Sequence, residues 1–63
     1  MDKERLIERE ALTIVEWCQA HGISRATFYK LVSAGLAPRR MRVGRRVLIS
    51  REAAAEWRRK MER

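Results

Sequence analysis

Only three residues, Gly22-Ile23-Ser24, separate a segment that ends as helices end from a segment that begins as helices begin. Glycine readily adopts the left-handed conformation that closes a helix, and a serine hydroxyl accepts a hydrogen bond from an N–H of the first turn that follows it. So short a connection leaves no room for another element. The sequence therefore predicts two short helices that are joined directly and pack tightly.

Capping residues and apolar spacing set the limits of both helices. The first begins at Thr13, which forms a capping box with Glu16, and it ends at Gly22. The second follows Ser24 and ends at Gly35. The apolar faces consist of Ile14, Trp17, Cys18 and His21 in the first helix and Phe28, Leu31 and Val32 in the second.

A strand-like run, RRMRVGRRVLIS (residues 39–50), then carries five arginines around one glycine. Gly44 suits the first central position of a two-residue type II′ turn, where φ must be positive, and Arg45 takes the second position. Pro38 disfavours a helix in the residue before it, so the run follows an extended connection. The sequence therefore predicts a two-stranded hairpin whose tip projects Arg45.

This turn also fixes which side chains share a face of the hairpin. The pairs on one face are Met41 with Leu48 and Val43 with Arg46, and those on the other are Arg42 with Val47 and Arg40 with Ile49. Three of the four residues on the first face are apolar. We therefore expect that face to pack on the core and the remaining arginines to point outward or along the tip.

A last helix and a charged N-terminal segment flank these elements. The helix follows Ser50, has Glu52 near its positive N-terminus, and carries a narrow apolar seam. The residues of this seam are Ala53, Ala54, Trp57 and Met61. In residues 1–11, like charges four positions apart weaken an isolated helix, so we expect this segment to be frayed or partner-dependent. The folded domain is expected over residues 12–61.

The charges are distributed unevenly along the chain. Residues 1–16 contain three cations and five carboxylates, a net charge of −2, whereas residues 17–63 contain twelve cations and three carboxylates, a net charge of +9. No carboxylate lies between Glu16 and Glu52. A surface built from this middle segment attracts polyanions, and nucleic acid fits better than a membrane because no long amphipathic helix carries the charges.

Composition argues against several other classes. One cysteine, Cys18, and one histidine, His21, cannot supply a zinc ligand set or a closely spaced thiol–imidazole pair, so we expect no enzyme, no metal and no cofactor. No apolar run approaches the roughly 18 residues of a membrane span, and the N-terminus lacks the apolar region of a signal peptide. With 63 residues, the chain is expected to be a single small cytoplasmic domain.

Two helices joined by such a turn have the geometry of a helix-turn-helix, in which the second helix lies in the DNA major groove. An ordinary helical hairpin shows the same spacing, but the absence of carboxylates from the second helix favours DNA. From residue 12 to residue 57 the chain resembles the excisionase-type DNA-binding domain, a small winged helix-turn-helix related to the MerR and AlpA groups. The fold expected is thus mainly α with a β-hairpin: helix-turn-helix, two-stranded wing and C-terminal helix.

The resemblance rests on residues spread over most of the chain. They are Leu12-Thr13, Gly22-Ile23-Ser24-Arg25, Thr27, Tyr29-Lys30-Leu31-Val32, Gly35, Pro38, Arg42-Val43-Gly44-Arg45-Arg46, Ile49, Arg51-Glu52 and Trp57. The wing sequence RVGRR, followed by Ile49 and Arg51-Glu52, is the most specific part. Trp17 and His21 depart from the family pattern, and we expect Trp17 to lie in the core and His21 to be half-buried.

The resemblance implies that the second helix enters the major groove and that the wing follows the backbone into the adjacent minor groove. The candidate DNA-binding residues are Ser24, Arg25, Ala26, Thr27, Tyr29 and Lys30 in the helix, Arg40, Arg42, Gly44, Arg45 and Arg46 in the wing, and Arg39 and Arg51 as phosphate contacts. Arg25 can bond a guanine in bidentate fashion, and Arg45 suits a narrow minor groove. Ser24, Thr27 and Tyr29 suit phosphates, and Lys30 suits either role.

The function implied is that of an excisionase, also called a recombination directionality factor. Several copies would bind adjacent sites, bend the DNA and help a site-specific integrase to remove a mobile element. The chain shows no effector domain or long dimerisation helix, so we expect it to gain specificity from repeated sites and contacts between neighbouring copies. The division of charge between residues 1–16 and the remainder leads to the hypothesis of head-to-tail self-association, in which the acidic residues 1–16 contact the basic face of the next copy. The alternatives are an AlpA-like transcription regulator of mobile-element genes and an RNA- or partner-binding adaptor.

Overall fold

The computed structural model describes residues 10–62, which form three helices and three short strands. In chain order they are β1 (Ala11–Thr13), α1 (Ile14–His21), α2 (Arg25–Ala34), β2 (Met41–Val43), β3 (Arg46–Ser50) and α3 (Arg51–Met61). The strands form one antiparallel sheet in the order β1-β3-β2. The fold is mainly α with a β-hairpin wing, as predicted. Within residues 10–62, no helix is long and apolar enough to cross a membrane.

The caps predicted from the sequence define the helices. Thr13 Oγ1 accepts from the Glu16 N–H at 3.1 Å, and Glu16 Oε1 accepts from the Thr13 N–H at 3.0 Å, which completes the capping box. Gly22 and Gly35 close α1 and α2 with φ of 68° and 73°. Ser50 caps α3 by accepting from the Ala53 N–H at 3.0 Å. The caps at Thr13, Gly22, Gly35 and Ser50 therefore lie where the sequence predicts them.

The strand β1 was not predicted, and it joins the hairpin into a larger sheet. It runs antiparallel to β3, with Leu12 opposite Ile49. A further backbone hydrogen bond, from the Arg51 N–H to the Glu10 carbonyl at 2.9 Å, extends this edge. The predicted N-terminal segment lies outside the described residues over positions 1–9.

The hairpin turns the other face to the core, so the prediction for Met41 and Val43 is wrong. The predicted register is correct, since Met41 pairs with Leu48 and Val43 with Arg46. However, Met41 and Val43 are 41% and 56% exposed, whereas Ile49 is only 1% exposed. The reason is β1, which places Leu12 beside Ile49 and so makes that face the apolar one at the base of the sheet.

Aromatic rings fill the centre of the core. Trp17 and Phe28 are both fully buried, with ring centroids 5.5 Å apart in an edge-to-face arrangement. The ring of Trp57 packs edge-on against Trp17 at 4.8 Å, and Leu12 and Ile49 reach the same cluster from the sheet. The core position expected of Trp17 is thus confirmed, and this cluster holds α1 and α2 against the sheet.

Candidate nucleic-acid interface

The first turns of α2 present a row of exposed side chains. Those predicted to contact DNA, namely Ser24, Arg25, Ala26, Thr27, Tyr29 and Lys30, are all exposed. Phe28, by contrast, is fully buried and anchors the helix. The first turn contains no acidic residue, so no carboxylate offsets the positive end of the helix dipole. This end of α2 is therefore exposed and electropositive.

Ser24 and Thr27 are linked by hydrogen bonds at the start of α2. Ser24 Oγ accepts from the Thr27 N–H at 3.1 Å and donates to Thr27 Oγ1 at 3.0 Å. The Ser24 hydroxyl has one proton, and that proton is used here. The Thr27 hydroxyl therefore keeps its own proton available for an acceptor outside the protein.

The tip of the wing is a tight turn made by Gly44 and Arg45. Gly44 has a φ of 61°, and no residue other than glycine has a positive φ in the described part of the chain. Positive φ at the first central residue followed by negative φ at the second is the pattern of a type II′ turn. Arg42, Arg45 and Arg46 are exposed and make no ion pair or side-chain hydrogen bond with any residue of 10–62. The tip thus carries three arginines with unused donors.

The arginines at the base of the wing have intramolecular partners. Arg39 Nε donates to Glu56 Oε1 at 2.8 Å, and this hydrogen bond with the positive charge of Arg39 lowers the pKa of the Glu56 carboxyl. Arg40 Nη1 donates to the Pro38 carbonyl at 2.9 Å, and its guanidinium carbon lies 5.9 Å from the centre of the Phe28 ring. Base and tip of the wing therefore differ in how their guanidinium groups are engaged.

Arg51, at the first position of α3, lies beside Glu10, with Nη1 3.7 Å from the carboxylate Oε2. Both side chains are largely exposed, and an exposed ion pair of this length contributes about 0–1 kcal/mol at most. The pair between Arg39 and Glu56 is shorter but is also open to solvent. Neither carboxylate therefore prevents its arginine from contacting a phosphate.

Two residues of α3 hold the helix-turn-helix in place and were not foreseen in these roles. Trp57 Nε1 donates to the Leu36 carbonyl at 2.7 Å, and Arg58 Nη1 donates to His21 Nε2 at 3.1 Å. A guanidinium can only donate, so His21 Nδ1 carries the ring proton and donates to the Trp17 carbonyl at 2.8 Å. His21 is half-buried, as expected. The bonds that Trp57 and Arg58 make join distant parts of the sequence, and no local pattern predicts them.

The described residues contain no group of three or more potential ligands that could hold a metal ion. The thiol of Cys18 is buried, and burial raises its pKa, although the nearby charge of Arg25 acts in the opposite direction. A buried thiol with a raised pKa is a poor nucleophile. Within residues 10–62, most of the exposed cationic side chains lie in α2 and the wing.

Residues 11–62 match the family model described as a helix-turn-helix domain. No curated protein and no solved structure gave a match. The match covers most of the chain and includes all six elements of the fold. The chain therefore belongs to the helix-turn-helix domain family, a family of small DNA-binding domains, and membership implies sequence-specific DNA binding.

Proposed function

From its membership of this DNA-binding family, we propose that the protein is an excisionase, which binds adjacent duplex sites and bends them to promote integrase-mediated excision of a mobile element. The observation that carries the DNA contact is the pair of exposed basic elements, the start of α2 and the wing tip, to which the sequence contributes no carboxylate. A surface of this kind binds the phosphate backbone and displaces its counterions.

In this proposal α2 reads the bases. Arg25 lies at the first position of the helix with its guanidinium unpaired within residues 10–62, which suits a bidentate bond to O6 and N7 of a guanine. The Thr27 hydroxyl and the Tyr29 hydroxyl bond phosphates, and Lys30 contacts a base or a phosphate. Ser24 contributes mainly as the helix cap, because its proton is held by Thr27. Ala26 leaves space for close approach of the groove.

The wing supplies the second contact. Gly44 makes the turn that projects Arg45, and a guanidinium at such a tip suits a narrow minor groove, where the negative potential is enhanced. Arg42 and Arg46 on either side neutralise phosphates. Arg39 and Arg51, which flank the wing, contact phosphates. To do so, each has only to give up its ion pair with an exposed carboxylate.

The excisionase role is supported by the resemblance of residues 12–57 to excisionase-type domains. The uneven charge, −2 over residues 1–16 and +9 over the remainder, favours head-to-tail contact between copies on adjacent sites. Reversing the charge of Glu4 and Glu8 together is expected to weaken cooperative binding to tandem sites. Unchanged cooperativity in this variant would exclude the proposed contact between copies.

The binding site can be obtained by selecting duplexes from a random pool with the purified protein. Footprinting on the genomic copies of that site then shows whether protection is tandem or isolated, and gel migration of circularly permuted fragments measures the bend. An excision assay follows, with an integrase from the same mobile element and its attachment sites. We expect tandem protection, a bend, and excision that requires the protein.

A single isolated site at a promoter, without effect on excision, would instead assign the protein as an AlpA-like transcription regulator. Binding to duplex DNA, single strands and RNA at matched salt tests the adaptor alternative. A winged helix-turn-helix is expected to prefer duplex DNA, because both of its contacts require the two grooves of a double helix.

A further inference from the structure

Residues 36–40, which connect α2 to the wing, are held to the rest of the domain at several points. The Leu36 carbonyl accepts from Trp57 Nε1 at 2.7 Å, and the side chain of Pro38 is buried. The Pro38 carbonyl accepts from Arg40 Nη1 at 2.9 Å. A connection fixed in this way holds the wing at one position relative to α2.

Arg40, the last residue of this connection, contacts α2. Its guanidinium carbon lies 5.9 Å from the centre of the Phe28 ring, and Phe28 belongs to α2 and is fully buried. A planar, weakly hydrated guanidinium at this distance from an aromatic face gains a cation–π contact. The side chain thus joins the first residues of the wing to the recognition helix itself.

We infer that Arg40 is a positioning residue that fixes the wing against the recognition helix and does not contact a phosphate. The inference rests on the proposed contact of the wing with DNA. Arg42 lies two residues further along and makes no side-chain hydrogen bond or ion pair within residues 10–62, so it provides the comparison. The Phe28 ring and the Pro38 carbonyl hold the Arg40 guanidinium beside α2 and use one of its N–H donors, whereas all the donors of Arg42 are unused within residues 10–62.

This difference predicts a different response to lysine and to glutamine. Lysine keeps the charge but loses the planar group that fits both the ring and the carbonyl, so Arg40→Lys should disturb the wing. At a phosphate contact lysine keeps the charge but loses the bidentate geometry of arginine, so the salt slope of the glutamine variant is the measurement that separates the two roles. Removal of a phosphate contact lowers the slope of log K against log salt concentration by about one, whereas loss of positioning lowers affinity at every salt concentration.

The experiment measures dissociation constants on a duplex selected by the wild-type protein, over a series of salt concentrations. Arg40→Lys is expected to weaken binding about two- to fivefold, the equivalent of one cation–π contact, with an unchanged salt slope. Arg40→Gln is expected to weaken binding further, with a slope change less than half that of Arg42→Gln. Arg59→Lys, on α3, controls for a general effect of replacing arginine, and unfolding midpoints show that each variant is folded.

The inference is overturned if Arg40→Lys binds as tightly as wild type, or if Arg40→Gln lowers the slope as much as Arg42→Gln does. Should Arg42→Gln and Arg45→Gln leave both affinity and slope unchanged, the wing does not contact DNA, and the role of Arg40 is rejected together with that part of the proposed function. If only the Arg40→Lys result fails, so that this variant binds like wild type, the positioning role is rejected and the proposed function stands.

Discussion

The helix-turn-helix and the three-stranded sheet are held together by contacts of different range. The helices begin and end through bonds between near neighbours, such as those of Ser24 with Thr27. The sheet instead joins the two ends of the domain, since Leu12 of β1 pairs with Ile49 of β3. The helices can therefore form their ends locally, whereas the sheet gains its stability only when distant segments meet. Four pairs of variants test the two regions and their proposed contacts with DNA.

The largest effect is expected in the core that both regions share. Trp17→Ala removes a fully buried indole that contacts the rings of Phe28 and Trp57, and this should cost about 3–5 kcal/mol of unfolding free energy. A core of this size rarely supplies more than about 3–5 kcal/mol, so the variant should be largely unfolded by circular dichroism at 25 °C. Val15→Ala, at an exposed position of the same helix, should remain folded.

The second prediction tests which face of the hairpin meets the core. Ile49→Ala is expected to cost about 2–5 kcal/mol, because this side chain is 1% exposed beside Leu12. Met41→Ala, on the outer face, should change the free energy by less than about 0.5 kcal/mol. Urea unfolding of the two variants measures both values. Equal costs would contradict the orientation of the sheet.

The third prediction compares the two proposed DNA contacts. Arg25→Ala should cost about 1–3 kcal/mol on the selected site and relax the base preference at one position. Arg45→Ala should weaken binding to all sites more evenly and lower the salt slope by about one. Titrations on the selected duplex and on single-base variants, at several salt concentrations, separate the two effects. Loss of base preference in Arg45→Ala instead would reverse the proposed roles.

The smallest effect concerns the cap of α2. Ser24→Ala removes the acceptor for the Thr27 N–H and should cost about 1 kcal/mol of stability. Ser33→Ala provides the matched control, because Ser33 is an exposed residue of the same helix without a capping role. Thermal unfolding at one pH compares them. If Ser33→Ala destabilised the protein as much, the cap could not be the cause.

The sheet marks the limit of reasoning from local pattern. The two-residue turn and the cross-strand pairs of the hairpin followed from the position of Gly44, because turn type sets the register. The buried face did not follow, since the hairpin alone carries more apolar residues on the face that is exposed. The pairing of Leu12 with Ile49 determines which face is buried, and these two residues are remote in sequence.

The candidate site divides in the same way. The exposed residues of α2 were predictable, because its apolar stripe sets the buried side and leaves Ala26, Tyr29 and Lys30 away from the core. Arg25 is exposed because it is the first residue of the helix. The engagement of the arginines at the base of the wing was not predictable. Arg40 reaches Phe28 of α2, and Arg39 reaches Glu56 of α3, through contacts that depend on how the elements pack.

By itself, the sequence determined the ends of the helices, the tight turn between them, the hairpin register and the sign of the surface charge. These properties depend on residues a few positions apart or on composition, so local sequence is enough to specify them. Only the tertiary structure decided which side of the hairpin is buried and which arginines are already engaged. The physical reason is that both depend on contacts between segments that are distant in sequence. Such contacts stabilise the protein only once the core has assembled.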